Sequence, residues 1–263
     1  MLGETGVQLV RGLAPLGAFA LGLALERLAP HAALRPAWRT NLGLWALDAV
    51  VMTVVCGTCG WAVAEWARTA GIGALNAIHA PVGLGVVGTI LALDAVAYVW
   101  HRANHGLQLL WRFHGVHHAD ADFHVSTALR FHPGELLLAL PVRLAAILAL
   151  GAPPLAVVAF EAVFGVANVL VHGNFDLPRR LERGLAFVFV TPALHRRHHA
   201  ADWRDLGSNF GTIFNLWDRV GRTLRADTSA ARFATGIPGA EASRSRSLAA
   251  MLLAPLRGST ARP

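Results

Sequence analysis

The sequence predicts an all-α integral membrane protein with about four transmembrane helices, the last apolar stretch a hairpin, and a cytosolic helical cap rich in histidine. Three observations predict it. Of 263 residues, 54% are hydrophobic and only 15% charged, with a mean hydropathy of +0.46, far from the balance of an ordinary soluble domain. The apolar residues gather into four long stretches, about 7–28, 42–66, 82–100 and 135–172. Most of the thirteen histidines are bunched where the later stretches end.

A membrane-crossing helix needs about 20 apolar residues at about 1.5 Å each to cover the hydrocarbon layer. Each of the first three stretches fits one crossing. The fourth is too long for one, and Pro153-Pro154 near its midpoint forces a break. It therefore reads as a hairpin of helices 135–151 and 155–172, with Pro133 and Gly134 at the helix start. Arg143 and Glu161 are costly in lipid, so the hairpin is expected to face protein or to stop short of a full crossing. Four crossings with a re-entrant hairpin and five crossings both stay open. Cys56 and Cys59 form a CGTC within an apolar stretch. They lack the second pair of a zinc site and the polar context of a redox motif, and read as small core residues.

The chain thus divides into membrane helices over 1–81, a histidine-bearing region over 82–225, and a tail over 226–263 of small residues and scattered Arg that is expected to be poorly ordered. The net charge of +7 comes wholly from Arg, for there is no Lys. No aromatic-basic groove or DNA-reading motif accompanies it, which argues against a nucleic-acid partner. Arg27, Arg35 and Arg39 lie in the first loop, Arg68 alone in the second, and many after residue 100. The positive-inside rule then puts the first loop and the histidine blocks on the cytoplasmic side. Richness in Ala, Gly and Arg points to a GC-rich bacterial genome, and so to an inner membrane. A full hairpin returns the chain to the same side, so the histidines of 101–118 can meet those of 172–199.

Those histidines have ligand spacing. His101 and His105 form HRANH, His114, His117 and His118 form HGVHH, His172 stands in VLVHGN, and His195, His198 and His199 form HRRHH. Residues at i, i+3 and i+4 share a helix face, so each block aims two or three imidazoles at one spot. Nine are too many for one tetrahedral ion and suit two metals, each with four or five ligands. Imidazole alone accepts Zn, Fe, Cu or Ni. A hydrolytic zinc site usually has a general base such as the Glu of HExxH, and no block here contains an acid. Oxygen activation needs no such base, which favours two irons and oxidation of a lipid C–H bond.

The order HRxxH, WxxHxxHH, STALRFHPxE, HGN, LHRRHH and NFGxxFxxWDR, here His101–His105, Trp111–His118, Ser126–Glu135, His172–Asn174, Leu194–His199 and Asn209–Arg219, resembles the fatty acid hydroxylase/sterol desaturase superfamily of membrane non-haem di-iron enzymes. The resemblance covers about residues 85–225. It implies an O2-dependent lipid hydroxylase or desaturase whose metal ligands are His101, His105, His114, His117, His118, His172, His195, His198 and His199. Some members carry a further histidine where this chain has Asn168, which here would hold a water or leave one metal less tightly bound. Beyond the ligands, no further catalytic residue is assigned. His132, in RFHP, is expected to cap the hairpin entrance, and His124 to stand outside the ligand set. Asp94 and Tyr98 lie at helical spacing from His101 and His105, so they are expected to support the site from a turn deeper. Asp202, Asp205, Asn209 and Asp218 are further candidates for that role.

The cofactors expected are two Fe ions, with Zn as a substitute on purification, and O2, with no tightly bound organic cofactor. The partners expected are a membrane lipid and an external electron donor, a ferredoxin or a cytochrome b5-like protein with its reductase. This stretch of sequence shows no haem segment, GxGxxG or iron–sulfur cysteine set of its own. Two rival readings are a membrane zinc hydrolase or isomerase, active without O2, and a metal-transport protein. The latter would put ligands inside the crossings rather than at their ends.

Overall fold

The computed structural model describes residues 4–226, 234–239 and 247–257. Among these the chain is helical, with isolated bridges but no named strand. The helices are α1 (Glu4–Leu28), α2 (Trp38–Val55), α3 (Cys59–Thr69), α4 (Ala74–Ala77), α5 (Val82–Gly106), α6 (Gln108–His118), α7 (Pro133–Leu150), α8 (Pro154–Val171), α9 (Arg179–Leu185), α10 (Pro192–His198), α11 (Trp203–Leu206), α12 (Leu216–Val220) and α13 (Leu248–Leu253). Among the described residues five segments are long and apolar enough to cross a membrane: Leu9–Leu28, Trp38–Ala77, Val82–Gly106, Pro133–Leu150 and Pro154–Val171. The fourth apolar stretch supplies two of them, as its central prolines require.

One feature differs from the sequence reading, and two others answer it. The second stretch is not one helix: α2 ends at Val55, Gly57 takes a φ of 47°, and α3 resumes at Cys59 to pack on α7 and α8. Cys56 and Cys59 mark this interruption and are half-buried. As the helical spacing of Asp94, Tyr98, His101 and His105 implies, α5 runs six residues past the end of the third apolar stretch and carries His101 and His105 on its last turns. Of the two outcomes left open for the hairpin, Arg143 and Glu161 meet protein and do not shorten it. Each of its helices has 18 residues, about 27 Å. The charges are met within the bundle, where Arg11 Nε lies 2.7 Å and Arg143 Nη2 3.6 Å from the Glu161 carboxylate.

Inside a bilayer, apolar burial gives little drive to helix association, so close packing through small residues must supply it. A Cβ on Gly165 of α8 would lie 2.7 Å from the Pro15 ring of α1. At the hairpin tip, Gly151 (φ 66°) meets Gly73 (φ 98°) of the α3–α4 loop, and a side chain on either would run into the other's backbone. A core of Ala64, Leu93, Ile147, Val157 and Phe160 joins α3, α5, α7 and α8.

One end of the bundle is closed by a cap of α6, a 3-10 turn at Val125–Leu129, and α9 to α13. Arg130, fully buried, ties it together: Nε donates to the Val116 carbonyl (2.8 Å), Nη1 to Asn41 Oδ1 of α2 (2.9 Å) and Nη2 to Met251 Sδ of α13 (2.9 Å). Asn41 also donates to Asp120 (3.0 Å) and Ser126 (2.9 Å). Glu26 of α1 accepts from the Val125 and Asn174 amides and pairs with His124. The tail, expected to be poorly ordered, packs where it is described. Ala201 N–H donates to the Ala234 carbonyl, Thr235 to Ala121, and Met251 is buried beside Leu44 and Val116. The rest of that expectation falls outside the described residues.

Candidate metal centre

All nine histidines converge under the cap, in two sets whose candidate ligand atoms lie within 4.8 Å of one another. His101, His105, His114, His118 and His198 form the first, and His117, His172, His195 and His199 the second. The division follows from helix geometry. Four residues turn a helix by about 400° and three by about 300°, so in HGVHH the first and last histidines share a face while the middle one stands to the side. On α6, His114 and His118 go to the first set and His117 to the second. The second HxxHH block divides the other way: His195 and His199 join the second set and His198 the first. The HRANH pair at the end of α5 completes the first set, and His172, just after α8, the second. Asn168 stands one turn before His172, where a tenth imidazole would make the two sets equal.

The nitrogens are spaced as ligands. Nε2–Nε2 distances are 3.1 Å for His105–His118 and His118–His114, and 3.0 Å for His198–His101, His172–His117 and His195–His172. Two nitrogens each about 2.1 Å from a metal, at right angles, stand about 3.0 Å apart. Five rings have their other nitrogen fixed. His101 Nδ1–H donates to the Phe210 carbonyl (2.8 Å), His117 to Arg130 (3.2 Å), His172 to Asn168 (2.6 Å) and His198 to Ser208 (2.7 Å), while His114 Nδ1 pairs with Glu135 Oε1 (2.8 Å). A proton held at Nδ1 leaves the Nε2 lone pair facing the centre. Ring stacking adds to this: Phe131 lies on His117 (4.5 Å, 10°), and His118 of one set on His199 of the other (4.2 Å, 18°).

Burial keeps these rings neutral. His117, His118, His195 and His199 are held well below the ordinary imidazole range, first by burial and then by neighbouring imidazoles. Burial pushes His172 down to about 4 and His198 to about 3, against the opposing pull of the Asn168 and Ser208 carbonyls. Both nitrogens of His199 and the Nδ1 of His105, His118 and His195 are buried without a hydrogen-bond partner among the described residues. Such atoms are costly to bury without a ligand. Neutral, convergent and under-satisfied imidazoles fit two metal ions.

The expected supporting residues act at one remove. Asp94 and Tyr98 touch no ligand histidine: Asp94 accepts from the Ile213 and Phe214 amides and the Trp217 indole, and Tyr98 bonds Thr223 Oγ1 (2.9 Å). The side chains at i−4 and i−7 point along the helix toward the 210–223 segment, not into the histidines. That segment reaches the site through Asp218, which accepts from Phe210 N, Gly211 N and Thr223 and so positions the carbonyl that holds His101. Asn209, at φ 55°, braces the Leu194 carbonyl beside His195. Asp202 caps α11 and Asp205 pairs with Arg197 and Arg225. His132 caps α7 through Gly134 N and faces the Leu252 carbonyl, and His124 caps the 3-10 turn. The sequence reading missed Glu135, Asn104 and Arg130. Glu135 holds both His114 and Asn104 Nδ2 (3.1 Å). It sits within the quoted STALRFHPxE, but 21 residues from His114 no local spacing reveals the pairing.

A cavity of about 380 Å³ opens from His101, His114, His117, His172 and His195 into the bundle, between Leu93, Leu136, Leu140, Phe160 and Phe164, toward Arg143. No carboxylate belongs to either ligand set among the described residues.

Residues 86–223 match the family model described as fatty acid hydroxylase. The chain is 30% identical over 140 residues to ornithine lipid hydroxylase OlsE of Rhizobium tropici, a match covering 53% of this chain and 41% of that protein. It is 29% identical over 138 residues to human alkylglycerol monooxygenase (52% and 30% covered) and 26% identical over 144 residues to human cholesterol 25-hydroxylase (54% and 52% covered). The matches thus span about half or less of these curated relatives. No solved structure matches.

Proposed function

Since the chain belongs to the fatty acid hydroxylase family, we propose that it is a membrane lipid hydroxylase that uses O2 and a di-iron centre held by the nine histidines. The observation that carries this reading is the junction of the two imidazole sets with a cavity lined mainly by apolar side chains. When bound, the irons would supply the oxidising power that breaks an unactivated C–H bond. The chain's own residues do the rest. Five Nδ1 contacts hold their imidazoles in orientation, and Phe131 and Trp111 pack against the rings so that they cannot turn away. The cavity takes an alkyl chain, excludes water from it, and brings it against His101, His114 and His172. With four nitrogens against five, the second set has one position fewer filled by protein, beside Asn168.

The relatives' names, a hydroxylase of ornithine lipid, a monooxygenase of alkylglycerol and a hydroxylase of cholesterol, favour hydroxylation over desaturation and a lipid as substrate. Reducing electrons would come from a separate protein, a ferredoxin or cytochrome b5-like donor with its reductase. The cap would face the cytoplasm of a bacterial inner membrane, as the Arg distribution argues. The test is elemental analysis of detergent-purified protein from iron-supplemented cells, beside lipid profiles of cells with and without it. About two irons per chain and a new oxygenated lipid are expected. Zinc alone, with no oxygen-dependent change in lipids, would overturn the reading.

A further inference from the structure

The cavity below the histidines is not uniformly apolar. Asp48 of α2 lines it and is 7% exposed, and its Oδ1 is buried with no hydrogen-bond partner among the described residues. Trp100 of α5 lines the same cavity, and its indole Nε1–H is likewise buried and unpartnered. Asp48 is near enough to Glu135 for the two carboxyls to interact, and Glu135 holds His114. Asp48 is therefore at the histidine end of the cavity. Arg143 lies eight residues beyond Glu135 along α7, about 12 Å deeper.

A carboxyl buried in an apolar wall is costly unless something bonds to it. Among the described residues nothing bonds to Asp48 Oδ1, which leaves the occupant of the cavity to supply the bond. The unpartnered groups on this wall differ in kind: Asp48, Asn104 and Glu135 each leave an acceptor oxygen, and Trp100 leaves a donor. An ether or carbonyl oxygen only accepts and an ammonium only donates, whereas a hydroxyl does both.

We propose that Asp48 receives a hydroxyl group of the substrate, so that the cavity selects a hydroxyl-bearing lipid and holds that hydroxyl close to the histidines. The binding claim stands on the cavity alone. That the hydroxyl sits near the carbon to be oxidised rests on the hydroxylase reading above.

The test uses the full iron-loaded chain in detergent micelles, its thermal unfolding followed by intrinsic fluorescence during titration with 1-hexadecanol, 1-methoxyhexadecane or hexadecylamine. The alcohol is expected to stabilise the protein at a concentration at least about tenfold lower than the methyl ether or the amine. Asp48→Leu is expected to erase the difference between alcohol and ether while metal content is kept, and Asp48→Asn to retain part of it. Equal response of the unsubstituted protein to alcohol and ether overturns the proposal whether or not the variants fold. So does preference for the amine, or discrimination that survives in Asp48→Leu. Lipid oxidation is measured on the same preparation. Alcohol selectivity without oxidation keeps Asp48 in its role and removes the hydroxylase reading, while oxidation without selectivity does the reverse.

Discussion

His198 closes the first imidazole set from α10, with Nε2 3.0 Å from that of His101 and Nδ1 on the Ser208 carbonyl. Alanine there removes one nitrogen of five, and His198→Ala is expected to abolish lipid oxidation, lower bound iron from about two per chain toward one, and leave the protein in the membrane. Elemental analysis beside product analysis checks it, and a fully active variant would sink the ligand assignment. Glu135 acts one bond further out. Glu135→Gln keeps the shape but exchanges the carboxylate on His114 for an amide, and a loss of about 10- to 100-fold in metal affinity or activity is expected, read from metal competition with a chelator. The two histidine sets were legible because HxxxH and HxxHH are local patterns. Their supports were not, because Glu135, Arg130, Phe210 and Ser208 reach them through tertiary contacts, three of these four through backbone carbonyls that any residue type could offer. Asp94 shows the converse: its helical register with His101 was correct, yet its carboxylate serves the loop at 213–217.

At the scale of elements, α8 is positioned by what its small residues permit. Gly165→Leu would drive a branched side chain into the Pro15 ring, which cannot rotate aside, and separate α1 from α8. A fall in stability of about 1–3 kcal/mol is expected, read as a lower thermal midpoint in detergent, with metal content reduced because α8 also presents His172. The hairpin of α7 and α8 was readable from Pro153-Pro154, since proline dictates backbone geometry directly. The extension of α5 past Trp100 was readable only from the helical spacing of Asp94, Tyr98, His101 and His105, because hydropathy marks where lipid contact ends, whereas a helix continues as long as its hydrogen bonds and packing do. The break at Gly57 escaped for the opposite reason: glycine inside an apolar run is compatible with a continuous helix, and tertiary packing of α3 on α7 and α8 decides otherwise.

For the molecule as a whole, the buried imidazoles dictate a response to acid. His172 titrates at about 4 in the folded chain against an ordinary 6.5, so between those values the unfolded chain binds a proton that the folded one refuses. Stability therefore rises with pH through that window and is lost as pH falls from about 6.5 toward 4. His117, His118, His195 and His199, shifted the same way, steepen the loss. Bound metal, which competes with protons for the same nitrogens, would be released over the same range. Thermal midpoints and retained iron measured from pH 8 to pH 4 are expected to be flat above about 7 and to drop together below it. An unchanged midpoint down to pH 4 would contradict the buried, neutral state of these rings. The assignment of nine histidines to two sets has a further consequence for how the protein is made. The pairing of His101 with His198 spans 97 positions of sequence, and α6 and α10 each feed both sets. The first set of donors is complete only when residue 198 has been synthesised and the second only at residue 199, by which time all five apolar segments have been made. Ions bound at these sets would therefore be late staples, joining segments distant in sequence once the chain that carries them has been made.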